Sequence, residues 1–287
     1  MSRGNRDSAA GIIKNSMRDN YSEYGVDEYY KKVGTTYRNP HYPGIRYCMF
    51  LWLNKWWRNE HEARDLEGRS RRFTIFDMAC GHGEVSEAFM EWWKLGKAAN
   101  NPQPQDSVTG VPPSVSPALS IHRKRLAGIY PPSIPSELQT PRIIAADPYT
   151  AEAYKNRVRL ECSTLSFKEI SEGGINALLS GKSTSSISSG EELESESSTE
   201  IIEMTICSFA LHLIESSSEL FASLWELSLK CRWLVILAPH KKPEIKPGWG
   251  WVKWDAIDWN ECPMTQSTGE FLQDRVHCRI YRSVNTS

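Results

Sequence analysis

Several common markers of protein class are missing from this sequence, and each absence excludes a class. No apolar run approaches the ~20 residues that a membrane-spanning helix needs, and the polar first residues do not form a signal peptide. The seven cysteines contain no C-x-x-C pair, which argues against a disulfide framework and against a zinc site. These absences predict an intracellular protein, placed in the cytoplasm with the nucleus left open, that has no membrane partner and no bound metal.

A strong charge is missing as well. The chain has 34 Lys and Arg against 35 Asp and Glu, which gives a net charge of −1. Nucleic-acid-binding domains usually carry a basic excess. The overall charge therefore does not indicate a nucleic acid partner, although a local basic patch is compatible with it. Hydrophobic residues make up 40% of the chain, which is enough to build a sizeable core.

Two stretches depart from this ordinary globular composition. Residues 97–140 are rich in Pro, Ser, Gln and Asn, and residues 181–199 consist mainly of Ser and Glu. Neither stretch has enough apolar residues to order itself, so both are predicted to be disordered insertions. The predicted organisation is a helical segment over residues 1–60, followed by one α/β domain over residues 61–287 that carries both insertions.

The most informative stretch runs from Phe73 to Glu84 and reads Phe-Thr-Ile-Phe-Asp-Met-Ala-Cys-Gly-His-Gly-Glu. The aromatic and β-branched run at its start predicts a strand that is buried on both faces. A turn of small residues follows, and Glu84 opens an amphipathic helix. Because glycine has no Cβ and adopts positive φ, such a turn lets a ligand approach the backbone closely. The stretch therefore predicts half of a nucleotide-binding βαβ unit.

A dinucleotide is one cofactor for a turn of this kind. Its fingerprint, G-x-G-x-x-G, needs a third glycine for close packing of helix on strand, and Ser86 stands at that position. The carboxylates of Asp77 and Glu84 would also repel a pyrophosphate. An NAD-dependent oxidoreductase is therefore disfavoured.

The same residues resemble the first motif of the class I S-adenosylmethionine-dependent methyltransferases, which is roughly D-x-G-x-G-x-G. The chain has Asp77-x-Ala79-x-Gly81-x-Gly83, with alanine at the first glycine position. S-adenosylmethionine has no phosphate and carries an ammonium and a sulfonium group, which suits an acidic strand end. The resemblance extends from Phe73 to Tyr281, apart from the insertions, and it implies S-adenosylmethionine as the cofactor.

The resemblance also implies the rest of the cofactor site. In this family the second strand ends in an acid that binds the ribose hydroxyls, and Asp147 matches it after Arg142–Ala146. A carboxylate is a natural acceptor for a diol. Many members have another acid after the third strand, whereas the predicted third strand here, Val158–Phe167, ends in Leu-Ser-Phe. The implied cofactor-binding residues are Asp77, Ala79, Cys80, Gly81, Gly83, Asp147, Pro148, Ser208 and Phe209.

The predicted fourth strand, Ile201–Phe209, leads into Ala-Leu-His. Methyltransferases that act on adenine N6 or on glutamine commonly have Asn/Asp-Pro-Pro-Tyr at this point. The chain looks instead like the family members that act on small molecules or on the wobble uridine of tRNA, which implies an acceptor of that type. His212 is a candidate general base, because the pKa of histidine lies near working pH. A structural histidine that caps the next helix is the alternative.

The N-terminal residues supply a candidate lid. A helix is predicted over Ile45–Trp57, where apolar residues recur every three to four positions, after a loop punctuated by prolines. Many class I methyltransferases cover the cofactor with such a segment, and loops often carry function; simple packing of a helical pair is the alternative. The implied substrate-binding residues of this segment are Tyr30, Tyr37, Arg38, Asn39, His41 and Tyr42, with His41 also a candidate catalytic residue. His240, after the predicted fifth strand, is a further candidate because a dense tryptophan cluster near it could line a substrate pocket, with covering of the sheet edge as the alternative.

Five strands that are each followed by a helical pattern, and a terminal antiparallel segment, predict a doubly wound, mostly parallel α/β sheet. Ligand is expected at the carboxyl ends of the first two strands, at the topological switch point. The predicted function is S-adenosylmethionine-dependent methyl transfer to an unidentified acceptor. The alternative is a catalytically inactive protein that uses the methyltransferase fold for binding or as a scaffold, which the missing acid after the third strand would suit.

Overall fold

A computed structural model describes residues 39–61, 72–100, 129–180 and 200–286 of the chain, together with the isolated residues Glu23, Gly25, Glu28 and Tyr29. Three of the predicted substrate-binding residues, Tyr30, Tyr37 and Arg38, lie outside the described residues, and so does the predicted insertion over residues 181–199. These predictions stay open.

The described residues form one eight-stranded sheet. Its strands are β1 (Thr74–Met78), β2 (Arg142–Ala146), β3 (Ile202–Ser208), β4 (Cys231–Ala238), β5 (Trp251–Asp255), β6 (Asn260–Cys262), β7 (Phe271–Gln273) and β8 (Val276–Ser283). Their order across the sheet is β2-β1-β3-β4-β8-β5-β6, and β7 pairs with β8.

The directions of the strands confirm the predicted fold class. Strands β1 to β4 are parallel to one another, and β8 runs antiparallel between β4 and β5. The chain leaves β1 for β2 on one side and then returns to β3 on the other side of β1, so a topological switch point lies at the carboxyl end of β1. This is a doubly wound, mostly parallel sheet with an antiparallel final strand.

Helices cover both faces of the sheet. They are α1 (Tyr42–Trp56), which continues as a π-helical turn over Trp57–His61, α2 (Glu84–Asn100), α3 (Ala151–Val158), α4 (Phe167–Ser171), α5 (Ile175–Ser180) and α6 (Ser217–Lys230), with a 3₁₀ turn at Leu211–Leu213. Helices α1 and α2 pack on one face of the sheet, and α4 and α6 pack on the other. None of the helices in the described ranges combines the length and the apolar character that crossing a bilayer requires.

The apolar stripe of α1 is buried against α2 and the sheet. Trp52, Trp56 and Trp57 are at most 1% exposed, and Trp92 of α2 is fully buried beside them. The Trp92 indole donates a hydrogen bond of 2.7 Å to Asn54 Oδ1, which gives a buried polar side chain of α1 a partner. Helix α1 therefore shares one core with the α/β sheet.

The predicted third strand, Val158–Phe167, is wrong. Helix α3 ends at Val158, Arg159 turns the chain with a φ of 64°, and in this segment only Ser163 pairs with the sheet, through an isolated bridge to Ala146. Its alternating apolar residues Val158, Leu160 and Cys162 pack in a small cluster with Tyr154 of α3, so beside β2 the backbone forms only this one bridge. The helix predicted after it is also divided, because Gly173 at a φ of 88° separates α4 from α5.

The predicted boundaries of the first insertion are wrong as well. Helix α2 continues to Asn100, and residues 129–140 pack on it. Ile134 is fully buried and Leu138 is 8% exposed. The Lys97 ammonium donates to the carbonyls of Pro135, Ser136 and Leu138. A stretch with few apolar residues is thus ordered by contacts with α2, which composition alone does not reveal.

Ile134→Val should lower the free energy of unfolding by about 0.5–1.5 kcal/mol, because a fully buried isoleucine loses one methylene there. Urea unfolding measures the change. Glu137→Ala, at an exposed position of the same segment, is the matched control and should be nearly neutral. A negligible loss in both variants would mean that residues 129–140 form a solvated loop after all.

Candidate functional site

Three residues of the turn between β1 and α2 are in the left-handed conformation. Ala79, Gly81 and Gly83 have φ angles of 52°, 56° and 86°. A Cβ on Gly83 would lie 2.2 Å from Cγ2 of Val158, so α3 can pack on the turn only because that residue is glycine. Ala79 adopts the same conformation with a side chain, which costs roughly 1–2 kcal/mol. Alanine at the first glycine position of the motif therefore still adopts a positive φ.

Asp147 connects the end of β2 to this turn. Its Oδ2 accepts a hydrogen bond of 3.0 Å from the Gly81 amide, and its Oδ1 accepts from the amides of Tyr149 and Thr150, each at 2.9 Å. The Thr150 hydroxyl donates to the Gly81 carbonyl at 2.6 Å. A carboxylate has about four acceptor sites, so three are used within the protein and one remains for a ligand.

Asp77 lies under the turn and not among the residues that line the pocket. Its Oδ2 accepts hydrogen bonds from the Ser86 amide at 3.1 Å and from the Ser86 hydroxyl at 2.6 Å. Its Oδ1 is buried without a hydrogen-bond partner among the described residues. Burial raises the pKa of this carboxyl to about 8, and the charges of Glu84 and Asp147 add to the effect. Ser86, the residue that breaks the dinucleotide fingerprint, thus acts as the partner of Asp77.

Asp77→Asn should flatten the dependence of stability on pH. The pKa of Asp77 is about 8 in the folded protein against an ordinary 3.8, so between these values the folded chain keeps a proton that the unfolded chain has released. The free energy of unfolding contributed by this group therefore falls as pH rises from 4 to 8. Urea unfolding at several pH values should show that the free energy of unfolding of the variant rises relative to that of the wild type between pH 4 and pH 8. A constant difference would contradict the raised pKa.

A pocket lies at the carboxyl ends of β1, β2 and β3 and encloses about 60 Å³. Seven predicted residues line it, namely Asn39, Ala79, Cys80, Gly81, Asp147, Ser208 and Phe209. A larger groove, about 800 Å³, lies beside β5 and β6 and contains none of the predicted residues. The smaller pocket is the candidate site, because it is there that the glycine turn and the polar groups converge.

Ser208 and Phe209 form the β3 side of the pocket. The Ser208 hydroxyl is buried and has no hydrogen-bond partner in the described part of the chain. Phe209 is held at a φ of 57°, and its amide donates to the Leu237 carbonyl at 2.8 Å. Its ring stacks on His41, with centroids 5.0 Å apart and an angle of 16° between the rings.

The segment before α1 therefore reaches the pocket. Asn39 lines the pocket, and its Oδ1 accepts a hydrogen bond of 2.9 Å from the His41 amide. Tyr42, another predicted substrate-binding residue, lies outside the pocket with its ring 5.9 Å from the Arg157 guanidinium. The structure thus brings Asn39 and His41 to the site and places Tyr42 beside it.

His212 and His240 meet next to the pocket. Their rings are edge to face, with centroids 4.7 Å apart, and His212 lies between the pocket residues Ala210 and Leu213 in the chain. Burial lowers the pKa of His212 to about 4, with further lowering by His240 and by Arg279. The imidazole is therefore neutral at physiological pH, and its lowered pKa makes it a weaker base than an ordinary histidine.

The alternative role for His212, as the cap of the next helix, falls to another residue. Helix α6 is capped by Ser216, whose hydroxyl accepts from the Glu219 amide at 3.3 Å. His212 lies in the preceding 3₁₀ turn, where its side chain is half-buried. This leaves its imidazole available for chemistry.

Two predicted cofactor residues besides Asp77 do not line the pocket. Gly83 leaves the space into which α3 packs, and Pro148 follows Asp147 in the chain but does not line the pocket. The pocket also includes residues that sequence reasoning missed, namely Glu84, Val85, Tyr149, Ala210 and Leu213. Each is within two residues of a predicted position or of His212, so adjacency to the motifs was the available signal.

Comparisons with known proteins identify a close relative and several distant structures. No family model matches the chain. The uncharacterized protein C17A5.05c of Schizosaccharomyces pombe is 39% identical over 272 residues, which are 94% of this chain and 93% of that protein.

The solved structures are much less similar. The magnesium protoporphyrin IX methyltransferase of Synechocystis PCC 6803 is 10% identical, with a TM-score of 0.36, over 94% of this chain and 95% of that chain. An S-adenosylmethionine-dependent methyltransferase of Clostridium acetobutylicum is 10% identical, with a TM-score of 0.30, and the match spans 65% of this chain and only half of that one, 50%. Scores this low carry no weight, and the fold assignment rests on strand order and direction.

That order, with β8 antiparallel between β4 and β5, is a doubly wound, mostly parallel sheet, which is the fold class that the sequence predicts. The family of the chain is shown by the 39% sequence identity across nearly the whole of both chains. The chain belongs to the same family as protein C17A5.05c of Schizosaccharomyces pombe.

Proposed function

We propose that the protein binds S-adenosylmethionine in the pocket at the ends of β1, β2 and β3 and transfers its methyl group to an acceptor. The observation that carries this proposal is the convergence of three groups. Gly81 presents the backbone of a tight turn, Asp147 presents a carboxylate, and Ser208 presents a buried hydroxyl with no partner among the described residues. Leaving a buried hydroxyl unpaired is costly, and a polar group of a ligand would pair with it.

The charge of the pocket favours a cationic ligand. Glu84 and Asp147 line it, whereas no Lys or Arg of the described ranges does. Glu84 is paired with the Arg157 guanidinium at 3.1 Å, so Asp147 supplies the carboxylate that has no cationic partner among the described residues. A carboxylate attracts an ammonium or a sulfonium and repels a pyrophosphate. The fit therefore favours S-adenosylmethionine over a dinucleotide, as the sequence motif does.

Asp147 is the best candidate to hold the ribose. Its carboxylate is fixed by three backbone amides and keeps one acceptor site, which a ribose hydroxyl would fill. Tyr149, Ala210 and Leu213 line the same pocket and provide aromatic and apolar surface for the adenine. The acid that many family members have after the third strand is not required for such packing.

The pocket must open before a nucleoside can enter. It encloses about 60 Å³, whereas pockets for ligands of this size occupy roughly 300–1,000 Å³. The short segment with Asn39 and His41 is the element to move, because it contacts the pocket through a side-chain stack on Phe209. Closing it again would exclude water from the reacting groups.

S-adenosylmethionine supplies an electrophilic methyl group on a sulfonium. The residues of the chain then have to align the acceptor and keep water out, which accounts for most of the rate enhancement in such a displacement. His212 is neutral at physiological pH and is the candidate to remove a proton from an acceptor N–H or O–H. His240, in edge-to-face contact with it, is the candidate to orient the acceptor.

The acceptor is proposed to be a small molecule or a tRNA-type substrate, not adenine N6 or glutamine. The support is that β3 leads into a 3₁₀ turn with His212 and has no Asn/Asp-Pro-Pro-Tyr segment. A scaffold protein that binds the cofactor without transfer is the second candidate. The pocket is small, and the segment Val158–Phe167 does not end in the acid that many methyltransferases have there.

Thermal unfolding with added S-adenosylmethionine, S-adenosylhomocysteine or NAD tests the proposal. The first two should raise the melting temperature in proportion to the logarithm of their concentration, and NAD should not. If neither S-adenosylmethionine nor S-adenosylhomocysteine stabilises the protein, the proposed cofactor is wrong. Transfer of a labelled methyl group to a small-molecule or tRNA fraction then separates an enzyme from a scaffold, which would bind the cofactor and transfer nothing.

A further inference from the structure

A single arginine of β8 binds the loop that follows β4. Arg279 is 3% exposed, and its Nη1 donates to the carbonyls of Lys241 and Pro243, at 3.0 Å and 2.8 Å. Its Nη2 donates to the carbonyl of Lys242 at 2.8 Å. One guanidinium thus binds three consecutive carbonyl groups, a geometry that its rigid fork of N–H groups permits.

Stability alone does not explain a buried arginine at this position. No carboxylate of the described residues lies within ion-pair distance of Arg279, and its Nε has no hydrogen-bond partner there. Burying a charge without a counter-ion is costly, and an apolar residue of similar volume is often more stable. What the arginine adds is the fixed conformation of the loop.

That loop carries His240. The residue is exposed, and the chain after it is held on two sides, by Arg279 and by a hydrogen bond of 2.5 Å from Lys241 Nζ to Ser267 Oγ. The His240 ring nevertheless keeps an edge-to-face contact with His212, which lies in the 3₁₀ turn after β3. The hydrogen bonds that hold residues 241–243 fix the backbone next to His240 and so restrict where its exposed ring can lie.

We propose that Arg279 is a positioning residue, which fixes the loop over residues 241–243 and so holds His240 against His212 at the acceptor side of the site. The catalytic meaning of this contact rests on the proposed function, whereas the contact itself does not. The charged and titratable groups that act on His212 are His240 and Arg279. The nearby His277, also on β8, faces Glu270 at 3.6 Å.

The full chain, labelled at histidine for NMR, tests this proposal without a known acceptor. In the wild type the His212 and His240 rings should show a nuclear Overhauser contact, and His212 should titrate with a pKa of about 4. Arg279→Lys keeps the charge but cannot bind three carbonyls, so the ring contact should be lost while His212 titrates only slightly higher. Arg279→Met removes the charge as well, and the pKa of His212 should move toward its ordinary 6.5.

Arg282→Met is the matched control, because Arg282 lies on the same strand but stacks over Trp233 and Trp254. It should leave the ring contact and the pKa of His212 unchanged. If Arg279→Met does not fold, Arg279→Lys still decides the matter. An unchanged ring contact and an unchanged pKa of His212 in a folded Arg279 variant would overturn the proposal.

Titration of the same proteins with S-adenosylhomocysteine separates this inference from the proposed function. Arg279 does not line the pocket, so all variants should bind S-adenosylhomocysteine as the wild type does. Absence of binding in the wild type would overturn the proposed function and would leave the NMR result on Arg279 intact.

Discussion

Asp147→Ala should weaken the binding of S-adenosylhomocysteine about 10- to 150-fold. A hydrogen bond to a charged group contributes about 1.5–3 kcal/mol, and each 1.4 kcal/mol corresponds to about a tenfold change in affinity. The carboxylate lines the pocket, and one of its acceptor sites is left for a ligand hydroxyl. Isothermal titration calorimetry measures the change.

Two further variants make this result specific. Asp147 also binds the amides of Gly81 and Tyr149, so its loss loosens the turn as well as the ligand contact. Asp147→Asn keeps the volume and one acceptor oxygen, and it should give an intermediate loss. Glu152→Ala removes a carboxylate of α3 whose side chain is 84% exposed, and it should leave affinity unchanged. Wild-type affinity in a folded Asp147→Ala protein would exclude the assignment to ribose.

Local sequence was enough to predict the turn and its partners. The conformation of residues 77–83 depends on small residues that are adjacent in the chain, so a motif captures it. The position of Asp147 beside this turn could be predicted, despite the long stretch of different composition between them, because Asp147 directly follows an apolar strand. The doubly wound class could be predicted because parallel strands joined by helices wind in both directions from a switch point, although the predicted strand Val158–Phe167 does not form.

The position of Asp77 relative to the pocket could not be predicted in the same way. A carboxylate at the end of a strand can face a ligand or the first turn of the next helix, and Ser86 decides between them by donating two hydrogen bonds. The ordered part of residues 129–140 was missed for a similar reason. Two apolar side chains, Ile134 and Leu138, become buried only because α2 provides a surface for them.

The contact between His212 and His240 also depends on tertiary structure. The two histidines follow neighbouring parallel strands, which makes proximity of their loops predictable. Their ring geometry depends on Arg279, which reaches the second loop from an antiparallel strand much later in the chain. No pattern within either loop contains that information.

Gly83→Ala should lower the free energy of unfolding by about 2–5 kcal/mol, from two separable causes. An L-residue in the left-handed region costs roughly 1–2 kcal/mol, and Gly83 has a φ of 86°. The added Cβ would also lie 2.2 Å from Cγ2 of Val158, and overpacking of this kind costs about 1–3 kcal/mol. Urea unfolding gives the total.

Gly248→Ala and a double variant separate the two causes. Gly248 has a φ of 82°, but no atom lies within 4 Å of the position that a Cβ would take, so its substitution should cost only the backbone part, roughly 1–2 kcal/mol. Combining Gly83→Ala with Val158→Ala should be less harmful than the sum of the two single changes, because the smaller side chain makes room for the Cβ. Strict additivity, or equal losses for Gly83→Ala and Gly248→Ala, would show that α3 does not depend on a glycine to pack against the turn.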